Sequence, residues 1–135
     1  MSFPEGGFAS PVWSPDGRWI AYLKFRPGPN NGEQHWIELF NPERATKWVV
    51  LSEPRLEGWG LSWLPDGRLL YAMDELPPSQ NSSNFWSSSI DLSTGRFVGM
   101  AARITSGDGF AVKPSVTADG KRLVFNRAKP QVVFM

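Results

Sequence analysis

Few side chains in this chain have the types and spacing that chemistry requires. His35 is the single histidine, and there is no cysteine, which removes thiol catalysis, cysteine-ligated zinc and disulfides together. His35 stands alone beside a predicted strand and reads as a surface or hydrogen-bonded residue. Serines cluster at Ser82-Ser83 and Ser87-Ser88-Ser89, but no Gly-x-Ser-x-Gly elbow holds any of them as a nucleophile. No glycine-rich loop with its lysine is present to cradle phosphate. Asn81-Ser82-Ser83 fits a glycosylation sequon, which has meaning only in a secretory context. Asp16, Asp66 and Asp119 invite a metal reading, yet each stands in its own Asp-Gly turn, where aspartate has a conformational task. The expectation is a chain that is not an enzyme and carries no metal and no cofactor.

Those turns are the organising feature. Ser14-Pro15-Asp16-Gly17 is echoed 50 residues on by Leu64-Pro65-Asp66-Gly67, and 53 residues later by Thr117-Ala118-Asp119-Gly120. Proline pre-sets φ for the first corner, aspartate tolerates the second, and Gly17, Gly67 and Gly120 take the left-handed conformation that closes a hairpin. Short aromatic or β-branched runs flank every copy, so each is read as a β-hairpin. A period of about 50 residues marks a propeller, solenoid or array.

In chain order, the first hairpin is followed by a polar loop over 26–34, a strand at His35–Phe40, a turn from Asn41 and a strand at Lys47–Leu51. The second unit repeats this with a loop over 74–84, a strand at Phe85–Ile90, the turn Asp91–Gly95 and a strand within 96–104. Trp36 and Trp86, 50 residues apart, imply a register that holds through both units. The third unit has its hairpin and the beginning of a third strand at Val132–Met135. Fourteen Lys plus Arg against 13 Asp plus Glu leave the net charge near zero, which argues against electrostatic capture of nucleic acid or an anionic membrane. No apolar run approaches a membrane span. Seven Trp and nine Phe are suited to filling the gaps between packed sheets.

Trp13-Ser14-Pro15-Asp16-Gly17-Arg18-Trp19-Ile20-Ala21-Tyr22 resembles the repeat of TolB-type, WD-repeat-like β-propellers. Trp86–Ile90 followed by Asp91–Gly95 is similar to the outer strands of the same blade, and Ile104-Thr105 with Pro114-Ser115 to the passage between blades. The resemblance implies an all-β chain of four-stranded antiparallel blades in an open or partial propeller. Blade 1 is placed at about 8–52, blade 2 at about 59–105 and a half blade at about 110–135. The last third is most similar to propeller segments of bacterial multidomain proteins, some of which carry a kinase or a winged-helix DNA-binding domain. TolB-type relatives imply a periplasmic place, whereas Met1–Gly7 shows no basic segment leading an apolar core. An open array exposes apolar blade faces, a surface for self-association.

A meander of this kind puts the Pro-Asp-Gly turns on one edge and the long loops 26–34 and 74–84, with linkers 5–10, 53–60 and 106–113, on the other. Binding residues gather on long loops mounted on rigid strands, so the second edge is the expected contact face. Its linkers repeat an aromatic after glycine, as Gly7-Phe8, Gly58-Trp59 and Gly109-Phe110. Phe8, Trp59 and Phe110 either line a channel rim or pack between blades, with repetition favouring packing. Arg55, Glu57 and Asp108 are the polar candidates beside them, read as solvated linker charge. The leading expectation is a non-catalytic module that binds protein or peptide. The alternatives are a piece of the gating propeller of a prolyl-oligopeptidase-like serine peptidase, whose hydrolase would lie outside these residues, and a sensor attached to a kinase or winged-helix regulator.

Overall fold

The computed structural model describes residues 7–28, 32–127 and 130–135, without the side chains at 58 and 59. Eleven strands form three antiparallel meanders. The first sheet holds β1 (Gly7–Trp13), β2 (Ile20–Pro27), β3 (Glu33–Asn41) and β4 (Thr46–Ser52). The second holds β5 (Leu56–Trp63), β6 (Arg68–Asp74), β7 (Ser83–Asp91) and β8 (Arg96–Arg103), and the third β9 (Val112–Val116), β10 (Arg122–Asn126) and β11 (Pro130–Phe134). Each sheet follows chain order, as hairpin-linked strands must. No helix among the described residues is long and apolar enough to cross a membrane.

The three turns close in one way. The amides of Gly17, Gly67 and Gly120 donate to the carbonyl oxygens of Ser14, Leu64 and Thr117, with φ of +72°, +91° and +72°. The carboxylates of Asp16, Asp66 and Asp119 accept the amides two residues on, at 3.0, 3.1 and 3.0 Å. Ser14 and Thr117 hydroxyls donate to Asp16 and Asp119 at 2.6 Å each. The hydroxyl of Thr117 is the foremost reason why the Asp119 carboxyl lies below its usual range. These carboxylates are committed to their turns.

Several boundaries move relative to the sequence reading. The innermost strands reach back into the expected linkers, so that Gly7–Ser10 belong to β1 and Leu56–Gly60 to β5. The reason is a bulge in each: the ladders shift register between Ala9 and Val12, between Glu57 and Ser62, and opposite Val124–Asn126. Ser10 and Lys113 take φ of +58° and +55° at these bulges. Extra residues, one each in β1 and β9 and three in β5, let the strand bend and resume its pairing. The loops are correspondingly shorter, since Arg26, Pro27, Glu33, Gln34, Asp74, Ser83 and Asn84 all pair in strands.

The turn length also differs between units. Ser14 and Thr117 amides donate to the carbonyl five residues on, whereas Leu64 donates to Arg68, four residues on. Trp13 therefore pairs with Ile20, Trp63 with Leu69 and Val116 with Leu123. The equivalent of Ile20 is Leu69, and not Leu70 as the 50-residue spacing implies. A one-residue slip moves every side chain to the other face.

Two cores lie between the sheets. Between the first and second, Ala21, Leu23, Ile37 and Leu39 meet Leu61, Leu69, Tyr71, Met73 and Ile90. Trp19 and Trp48 complete this junction, their indole N–H groups donating to Leu92 O at 2.7 Å and Gly95 O at 3.0 Å. Between the second and third, Leu64, Leu70, Ala72 and Phe85 meet Ala111, Leu123 and Phe125, with Phe85 and Phe125 edge to face at 5.4 Å.

Candidate functional site

The edge opposite the Asp-Gly turns carries the β2–β3 and β6–β7 connections and the two inter-sheet linkers. Arg55 is anchored there. Its Nε donates to Glu53 Oε1 at 3.2 Å and its Nη1 to the Asp74 carbonyl oxygen at 3.2 Å, while the Asp74 amide donates back to Arg55 O. The guanidinium thus ties the first linker to the end of β6. His35, within β3, donates from Nδ1 to Leu56 O at 2.7 Å, and its Nε2 stands 2.8 Å from Glu33. The second linker is held by Arg127, whose Nη1 donates to Ser83 O and Asp108 O and whose Nη2 donates to Asn84 Oδ1 at 2.8 Å. Thr105 donates to the same Asn84 oxygen and accepts the Phe85 amide. Glu75 accepts from Arg103 at 2.7 Å and from Asn84 at 3.1 Å, and the Arg103 hydrogen bond is the largest cause of its lowered carboxyl pKa.

Between these two clamps lies a cavity of about 300 Å³ lined by Glu57, Ser83, Phe110, Ala111 and Val112. Glu57 is not solvated linker charge, because it stands in β5 opposite Ala72. Burial, then the hydrogen bond and negative charge of Asp74, push its carboxyl up to about 8. The Oδ1 atom of Asp74 is itself buried without a hydrogen-bond donor. Ser83 accepts the Ala111 amide through its hydroxyl at 3.0 Å, which holds the cavity wall rather than presenting a nucleophile. Phe110 is 47% exposed. The cavity wall offers an apolar ring and, beside it, a carboxyl that its surroundings hold protonated. Such a pair takes an apolar side chain and accepts a peptide N–H group.

The sequence candidates are not gathered at this place. Phe8 lies inside β1 opposite Lys24 and is 71% exposed, its ring edge-on to Tyr22 at 6.1 Å. It belongs to the outer face of the first sheet, not to a rim shared with Phe110, which precedes β9 by two residues. The backbone of Trp59 is in β5 and its side chain is outside the described residues. Among the described residues no three His, Cys, Asp or Glu side chains stand together to hold a metal.

Three successive four- or three-stranded meanders, stacked face to face with innermost strands adjacent, define the architecture. TolB from Acinetobacter baumannii superposes with a TM-score of 0.67 at 25% identity over 94% of this chain. The chain is a partial β-propeller. The β-propeller domain of the Trilobed protease from Pyrococcus furiosus is similar at a TM-score of 0.64 and 13% identity, over 93% of this chain. An acylaminoacyl peptidase from Pyrococcus horikoshii matches at 0.63 and 14% over 89%. The chain spans 29%, 35% and 17% of these three proteins. No family model and no curated protein sequence matches it.

Proposed function

We propose that this partial propeller is a non-catalytic module that binds a protein or peptide on its long-loop edge, at the cavity beside Phe110. The observation that carries the reading is the half-exposed Phe110 ring and the Glu57 carboxyl on the wall of one cavity, set on strands that two clamped linkers hold in place. An aromatic ring with one or two oriented acceptors is the usual make-up of an anchor pocket. An extended segment placed there gives an N–H group to Glu57 and its apolar side chain to Phe110.

The test is a peptide-display selection on the folded chain, followed by calorimetric titration of the selected sequences. Phe110→Ala and Glu57→Gln should each weaken binding about tenfold, the loss of one anchor contact. Selected peptides that bind both variants as tightly as the parent would remove the site. A second reading, a segment of a peptidase's gating propeller, draws on the likeness to the two peptidase structures. It differs in one observable: the polypeptide would continue into a hydrolase domain with a Gly-x-Ser-x-Gly elbow.

A further inference from the structure

Blade stacking here is directional, and the described residues leave one face of each kind uncovered. Ladder positions define the equivalence. Ile20, Leu69 and Leu123 occupy one site in their sheets, as do Trp13, Trp63 and Val116. By the same register Tyr22, Tyr71 and Phe125 correspond. In the second and third sheets these residues face the preceding sheet: Leu69, Tyr71 and Trp63 pack on the first sheet, and Leu123, Phe125 and Val116 on the second. In the first sheet the same positions face outward, where Phe8, Pro11, Ile20, Tyr22, Lys24, Phe40 and Lys47 line a hollow of about 360 Å³.

The opposite faces show the complement. Ala21, Leu70 and Val124 are equivalent, since they pair with Val12, Ser62 and Ser115. Ala21 and Leu70 are fully buried against the following sheet, whereas Val124 is 40% exposed, with Phe134 at 79% and Val132 beside it. Trp13 makes the same point. Its equivalent Trp63 crosses the first junction and donates its indole N–H to Val12 O at 3.2 Å, yet Trp13 is 58% exposed. The position equivalent to Val12 in the third sheet is Ser115, which is also exposed. Lys24 fits as well: its equivalent on β10's side is Arg127, which reaches across the second junction to Ser83 O and Asn84 Oδ1.

We propose that the outer face of the first sheet docks on the outer face of the third sheet of a second copy, giving a closed head-to-tail dimer. Both new junctions repeat the face pairing of the two junctions within the chain, with Trp13 against the Ser115 backbone and Ile20 and Tyr22 against Val124 and Val132. A heterologous contact of this kind makes a ring when its rotation closes. Two copies of a three-sheet chain supply six sheets, within the four to eight blades of closed propellers. Closure covers the exposed apolar faces on both ends at once.

The experiment is the absolute mass of the chain by light scattering on a sizing column, with circular dichroism on each peak to establish folding. The parent chain should run at the mass of two copies. Trp13→Glu, which spoils only the first face, and Val124→Glu, which spoils only the third, should each run as folded monomers. A one-to-one mixture of the two variants should recover the two-copy mass, because one intact junction remains. A folded parent that is monomeric at every concentration overturns the proposal and leaves the faces to a blade of another polypeptide. An open ladder of masses overturns ring closure. A dimer that survives Val124→Glu, or folded variants that do not re-pair on mixing, overturns head-to-tail pairing.

Discussion

β2 and β6 are the same strand of two neighbouring blades, hydrogen-bonded on both sides, and they are buried in different ways. In β6 every residue from Leu69 to Met73 is buried. In β2 burial alternates, with Ala21 and Leu23 sealed while Ile20, Tyr22 and Lys24 remain partly open. The composition follows the covering. Met73 in the second sheet stands where the first has Lys24, whose ammonium lies 3.9 Å from the nearly buried Glu38. Burial opposes ionisation of Glu38, but donors from Tyr22 at 2.6 Å and Trp36 at 2.9 Å, with Lys24 and Lys47 nearby, hold its carboxyl below the usual range. The lesson is that a blade's strand pattern records how many sheets cover it, not only its place in the meander.

The comparison breaks most visibly at equivalent positions. Leu69→Ala empties a site that is sealed by two sheets and should cost about 2–5 kcal/mol in urea unfolding. Ile20→Ala, at the same ladder position on the face left open within one copy, should cost about 1 kcal/mol when both changes are made in the monomeric Trp13→Glu background. Equal losses in that monomer would show that the first sheet's outer face is sealed within a single copy.

The outer turns give a second contrast. Gly95 closes the β7–β8 turn with φ +72°, and a Cβ there would stand 2.5 Å from the Trp48 ring and 2.8 Å from Trp19. Gly95→Ala adds overpacking to left-handed strain and should destabilise by about 3 kcal/mol. The equivalent turn after β3 has Ala45 at φ +51°. Ala45→Gly should raise stability by about 1 kcal/mol, by releasing that strain.

The long-loop edge adds a response to pH. Glu57 titrates at about 8 in the folded chain against an ordinary value of 4.5. The folded state therefore binds the extra proton between those values. Its stabilising effect is full below about 4.5 and is lost as pH rises through about 8. Unfolding midpoints should fall over that window in the parent and stay flatter in Glu57→Gln. The Asp119 carboxyl, lowered by its turn, acts in the opposite sense at acid pH.

Much of the architecture was legible in the chain. The Asp-Gly turns, the four-strand order and the restart of the pattern follow from turn chemistry and short aromatic runs, because those are local properties. The slip at the hairpins was not legible. Ser14-Pro15-Asp16-Gly17 and Leu64-Pro65-Asp66-Gly67 look alike, yet Trp19 is an added turn residue in the first and has no counterpart in the second. Only the ladders reveal that Tyr22 matches Tyr71. The candidate site was less legible. Phe8 and Phe110 share a glycine-aromatic pair, but a bulge carries the first into a strand and leaves the second in a linker. Glu57 read as linker charge because Asp74, its neighbour across the sheet, is 17 residues away in sequence. A signal was present in the alternation Leu56-Glu57, which places Glu57 on the face opposite to buried Leu56 once β5 is extended.

Within one copy the second sheet is sealed on both faces, while the first and third are each open on one. Residue-resolved amide hydrogen exchange on the monomeric Trp13→Glu chain decides it, read at β2, β6 and β10, which are paired on both edges alike. There β6 amides should exchange only through global unfolding, with β2 and β10 opening at lower free energy. Protection in β6 no greater than in β2 and β10 would contradict it.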